Sequence, residues 1–82
     1  MEIKFTNKAQ KQYANLPHTI QKKVDKQIVF LLQDHRHPSL NAKKYSTATG
    51  DLWQARIDKS YRLYFFIENP HYIVVSVINH PK

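Results

Sequence analysis

The 82-residue sequence has no cysteine, one glycine and no uninterrupted apolar run longer than five residues. Without cysteine there is no disulfide framework, so a core of apolar side chains has to hold the fold by itself. The longest apolar runs, Ile28 to Leu32 and Leu63 to Ile67, fall far short of the roughly 20 residues of a bilayer-spanning helix. Met1-Glu2 opens no secretory signal, which leads to the expectation of a cytoplasmic protein without a membrane partner. Acidic residues are also scarce, 6 against 13 Lys plus Arg, for a net charge of +7. The excess is spread over both halves of the chain, so it is not a basic tail. Such a balance costs self-repulsion and is best tolerated where the partner is polyanionic.

What is present is enough for one domain spanning residues 1–82. An apolar content of 41% excludes disorder, but a chain of this size buries only about 60–65% of its unfolded surface, so its stability margin is thin. Glu2-Ile3-Lys4-Phe5 alternates like a short strand, and Thr6 or Asn7 can cap a helix running to about Leu16. Pro17 ends that helix and suits the first turn of the next, where Ile20, Val24, Ile28, Leu31 and Leu32 recur at helical spacing. Lys22, Lys23 and Lys26 on the opposite side read as a solvated face. The polar stretch from Asp34 to Ser39 closes this helical hairpin. His35 and His37 share it, but without cysteine or well-spaced carboxylates they make a poor metal site.

From Asp51 the period switches to two, predicting a three-stranded antiparallel meander with turns at Asp58-Lys59-Ser60 and around Asn69-Pro70. The fold class is therefore α+β: an N-terminal strand, a helical hairpin, then the meander, with the helices packed on one face of the sheet. Trp53, Ala55, Ile57, Leu63 and Phe65 fall on the helix-covered face. The even positions Tyr64, Phe66, Val74 and Ile78 fall on the other, where an uncovered apolar patch marks a partner surface. A three-residue loop at Asp58 to Ser60 places Arg56 directly opposite Arg62, and like charges facing each other across a sheet are destabilising. Pairing Ile67 with Ile73 and Phe65 with Val75 brings Ile78 opposite Arg62, and His80 follows on the same face. Two guanidiniums beside an imidazole suit a phosphodiester.

These residues resemble a known family. Leu52-Trp53-Gln54-Ala55-Arg56-Ile57, Ser60-Tyr61-Arg62-Leu63-Tyr64-Phe65 and the closing Ile78-Asn79-His80-Pro81-Lys82 are similar to the RelE/ParE toxin superfamily of bacterial type II toxin-antitoxin systems. Lys43-Lys44-Tyr45 resembles its basic-basic-apolar segment. In the RelE-like branch the resemblance implies a metal-independent, cofactor-free endoribonuclease, an mRNA interferase that acts on mRNA at the ribosome. There a ribose 2′-hydroxyl attacks the adjacent phosphate. It implies catalytic roles for Arg56, Arg62 and His80, RNA binding by Lys43, Lys44, Lys59 and Lys82, and an acidic antitoxin contacting Tyr64, Phe66 and Val74. Many of these ribonucleases carry a tyrosine after the last strand, where this sequence has Asn79-His80-Pro81-Lys82. Two alternatives are a ParE-like toxin that inhibits DNA gyrase without cleaving RNA, and a basic nucleic-acid-binding module.

Within the first reading, roles divide by pKa. An arginine stays protonated, so Arg56 and Arg62 can bind phosphate and stabilise developing charge but cannot accept a proton. Proton transfer then falls to His80, whose ordinary pKa suits both directions, with Lys44 the weaker candidate. Replacing His80 with Ala is expected to slow cleavage about 10²- to 10⁴-fold in single-turnover assays while RNA affinity is retained.

Overall fold

The computed structural model describes residues 1–79. Chain order is β1 (Glu2–Phe5), α1 (Asn7–Ala14), α2 (His18–Gln33), a 3₁₀ turn (Pro38–Leu40), β2 (Lys43–Thr47), β3 (Gly50–Arg56), β4 (Tyr61–Glu68) and β5 (His71–Asn79). The five strands form one sheet in the order β1-β5-β4-β3-β2, with β1 parallel to β5 and the other pairs antiparallel. This is the expected α+β arrangement, with one more strand than the meander called for. The fully exposed sequence of β2, Lys43-Lys44-Tyr45-Ser46-Thr47, has no buried face and therefore no apolar alternation to announce it.

Local chemistry explains the helical hairpin. The Thr6 hydroxyl accepts a hydrogen bond from the Ala9 amide at 3.2 Å, satisfying one of the donors that every helix leaves open at its start. Asn15 caps the other end of α1, and Pro17 occupies the N-cap of α2. Ile20, Val24 and Leu31 of α2 are buried as their spacing predicts, whereas Leu32 is 41% exposed and Ile28 only half-buried. The position left over is taken by Gln27, buried on the inner face. Its amide nitrogen donates to the carbonyls of Arg56, at 2.7 Å, and Ser39, at 2.9 Å, and its oxygen lies 3.3 Å from the Ser39 hydroxyl. One polar side chain thus ties α2, the 3₁₀ turn and the end of β3 together.

The core lies between the helices and one sheet face. Ala55, Ile57, Leu63, Phe65, Tyr72, Val74 and Val77 meet Ala9, Ile20, Val24, Leu31 and Leu40 there. Phe65 is fully buried, stacked on Trp53 with ring centroids 6.3 Å apart and edge-on to Tyr72 at 5.7 Å. β1 pairs with β5 only as far as Phe5 and Val74. Beyond that point α1 shields the β5 edge: the Gln12 side-chain oxygen accepts from the Val77 amide at 2.9 Å and the Ser76 hydroxyl at 3.1 Å.

Two expectations about β5 are corrected. Tyr64 pairs with Ser76 and Phe65 with Val74, so a β-bulge leaves Val75 as the extra residue, and Ile67 pairs with Tyr72, not with Ile73. Before the bulge the core positions are even-numbered, after it odd, and Val74 is therefore fully buried in the core and not on the uncovered face. From Tyr61 to Tyr64 the register is the expected one, with Arg62 opposite Ile78.

The β3–β4 hairpin sets which side chains share the sheet face turned away from the helices. Asp58 shapes its loop: one carboxylate oxygen accepts from the Ser60 and Tyr61 amides, both at 2.8 Å, and the other is 3.3 Å from the Lys23 ammonium on α2. Partial burial opposes ionisation of Asp58, but these amides and Lys23 outweigh it and hold its pKa below the ordinary carboxylate value. The folded state then binds this proton more weakly than the unfolded chain, so the contribution to stability is complete above about pH 4 and is lost as pH falls through the lowered value.

Two outcomes follow. Gln27→Leu leaves the Arg56 and Ser39 carbonyls unpaired and is expected to destabilise the fold by about 2 kcal/mol in urea titrations, whereas the exposed Val29→Ala changes it by less than about 0.5 kcal/mol. Asp58→Asn is expected to melt lower than the unaltered protein at pH 7 and to lose less stability between pH 5 and pH 3, measured by thermal denaturation across that range.

Candidate nucleic-acid interface

The sheet face turned away from the helices is built in rows, each set by strand register. The first row runs Ile78, Arg62, Arg56 across β5, β4 and β3. The second runs Ser76, Tyr64, Gln54, Lys43 and continues onto β2. The third crosses all five strands as Lys4, Ile73, Phe66, Leu52, Tyr45. A cationic row, a polar row and an apolar row therefore lie side by side.

Arg56 and Arg62 stand directly opposite each other, as the hairpin loop length requires. Repulsion between them is offset on one side. The Arg62 guanidinium donates to the Asp58 carbonyl at 2.6 Å and the Tyr61 carbonyl at 3.0 Å, which draws it toward the loop. Arg56 is exposed, and its backbone is held from behind by Gln27. In the second row the Tyr64 hydroxyl donates to the side-chain oxygen of Gln54, a residue buried to 7% exposure. This pair fixes the ring beside the arginines. The arrangement offers permanent positive charge next to aromatic and aliphatic surface, which suits a ligand that carries both phosphate and planar groups.

The other expected site residues divide by strand parity. Lys43 shares the open face with Gln54, but Lys44, paired with Trp53, lies on the opposite side. Its ammonium sits 6.0 Å from the centre of the Trp53 ring and 3.9 Å from Asp51. Lys59 is exposed in the hairpin loop, close in sequence to the arginines. Tyr64 and Phe66 lie on the open face, and Val74 does not. His80 and Lys82 lie outside the described residues. Leu52, Gln54, Tyr45 and Lys4 join the face without having been singled out from the sequence. Parity relative to Arg56 follows from the sequence for Leu52 and Gln54 on β3; Tyr45 lies on β2, which shows no alternation, and Lys4 on β1, whose pairing with β5 is tertiary. His35 and His37 are packing residues: His35 meets Trp53 edge-on at 5.0 Å, and His37 stacks on Phe30 at 4.2 Å while its Nδ1 accepts from the Ser39 amide.

Comparison with known proteins agrees with this architecture. The sequence matches the family model for the ParE toxin of the type II toxin-antitoxin system parDE over residues 3–82. No curated protein sequence matches it. Among solved structures, the YoeB/ParE toxin from Agrobacterium tumefaciens superposes with a TM-score of 0.83 at 13% identity, covering 99% of this chain and 100% of that one. RelE in the archaeal RelE-RelB complex from Pyrococcus horikoshii OT3 gives 0.82 at 14% identity, with 99% and 96% covered. The YoeB dimer from Staphylococcus aureus gives 0.73 at 21% identity, with 99% and 98% covered. At these identities the structures speak for a shared fold. The family model spans nearly the whole sequence, and the chain belongs to the ParE toxin family, within the RelE/ParE superfamily of type II toxin-antitoxin toxins.

Proposed function

We propose that this toxin is a metal-independent endoribonuclease of the cytoplasm that cleaves mRNA on the ribosome, with Arg56 and Arg62 gripping the scissile phosphate. The observation that carries this reading is the direct cross-strand opposition of the two arginines on the uncovered sheet face, in the row next to Tyr64 and Lys43. Like charges so placed weaken the sheet, and an anion bound between them would reverse the sign of that term. In the chemistry proposed, the ribose 2′-oxygen forms a bond to phosphorus as the bond to the 5′-oxygen of the next nucleotide breaks. Negative charge gathers on the non-bridging oxygens, where fixed guanidiniums are most effective. Arg62 would have to exchange its loop carbonyls for these oxygens. His80, outside the described residues, is proposed to carry the proton transfers.

The same face is proposed to receive the antitoxin. An acidic segment would place carboxylates on Arg56 and Arg62 and apolar side chains on Tyr64 and Phe66, excluding RNA by charge and by volume. The structurally similar RelE from Pyrococcus horikoshii was solved together with RelB, in accord with a partner for this chain.

A second reading is gyrase inhibition without RNA cleavage, favoured by the match to the ParE family model. Cleavage and supercoiling assays separate the two. With free mRNA and with translating ribosomes, both in chelator, the ribonuclease reading expects cleavage that falls about 10²- to 10³-fold in Arg62→Ala. Intact RNA in both settings together with blocked supercoiling would establish the gyrase reading instead.

A further inference from the structure

Lys23 and Lys26 of α2, together with Arg56 and Asp58 of the β3–β4 hairpin, line a single cleft at the end of the sheet, with Gln27 in its wall. Three basic residues thus line it against one carboxylate. Asp58 is already committed to Lys23 and to the Ser60 and Tyr61 amides. Among the described residues, Lys26 and Arg56 have no anionic partner. The spacing of the two elements is not left to chance, because Gln27 bonds the Arg56 carbonyl directly and ties α2 to the strand end. Preset positions lower the ordering cost of holding a ligand.

We propose that this cleft is a second anion subsite that takes the RNA phosphate neighbouring the one held by Arg56 and Arg62, an inference that rests on the ribonuclease reading. Arg56 is common to both places: it lines the cleft and stands opposite Arg62. Anions in the two subsites would therefore lie close together. A nucleic-acid strand meets that condition at every nucleotide, whereas an extended peptide meets it only where acidic residues fall at alternate positions. The strand would leave the open sheet face past Arg56 and bend over the hairpin onto α2. Lys23 and Lys26, which looked like a solvated helix face, become the wall that this path crosses.

The probe is a 2′-O-methyl RNA oligonucleotide, which lacks the attacking hydroxyl and so stays intact, with affinity followed by fluorescence anisotropy over a salt series. Lys26→Ala is expected to weaken binding roughly three- to tenfold at low salt and to reduce the slope of log affinity against log salt by about 0.7, the loss of one single-strand phosphate contact. Lys8→Ala on α1, outside the cleft, should leave both unchanged. Lys26 is exposed, and a thermal melt checks that the variant is folded. RNA binding by the unaltered protein with Lys26→Ala indistinguishable from Lys8→Ala would overturn the subsite and leave the ribonuclease reading standing. No RNA binding by the unaltered protein would overturn the subsite, while the ribonuclease reading stands or falls by the cleavage assays. A Lys26→Ala loss confined to a glutamate-rich peptide, with RNA affinity unchanged, would overturn the RNA assignment and give the cleft to an acidic protein partner.

Discussion

The register of the β3–β4 hairpin decides which side chains share the uncovered face, and a single carboxylate holds that register. Asp58 binds two loop amides on one side and Lys23 of α2 on the other, so the loop that sets the strand pairing is also tethered to the helical layer. With three loop residues, Arg56 must oppose Arg62. A slip of one residue in either strand would carry its apolar residues, Ala55 and Ile57 or Leu63 and Phe65, out of the core and its arginine into it, which the energetics of burial forbid. The arginine row is thus locked by the same hydrophobic pattern that builds the core.

Charge and stability are in tension throughout this small domain. An 82-residue chain without disulfides has little free energy to spare, yet it keeps two arginines opposed across a sheet and three cations around one cleft. Local contacts limit the damage: loop carbonyls occupy Arg62, Asp58 neutralises Lys23, and Gln27 anchors the Arg56 backbone from the core side. None of these neutralises Arg56. An anion placed between the two arginines would offset their mutual repulsion.

Much of the fold was legible because burial writes itself into sequence. Helical spacing located α2, and alternation located β3 and β4, since each has one face in the core. Where that contrast was missing, reading failed. β2 is exposed on both sides and shows no alternation. Around the bulge, Ile73-Val74-Val75 is β-branched at every position, so either parity looked equally apolar and the shift that buries Val74 left no trace. Gln27 broke the rule in the other direction, a polar side chain at a core position whose partners lie 12 and 29 residues away.

The arginine pair followed from sequence alone, because loop length and strand parity are local and suffice to place Arg56 against Arg62. Net charge and the exclusion of disulfides and spanning helices were likewise matters of composition. Only the tertiary structure could separate Lys43 from Lys44, send Val74 inward, and bring Lys23 and Lys26 to the cleft that Arg56 shares. Those outcomes depend on which strand neighbours which and on how a helix docks against a strand end. Such contacts join residues some thirty positions apart, and no local pattern encodes them.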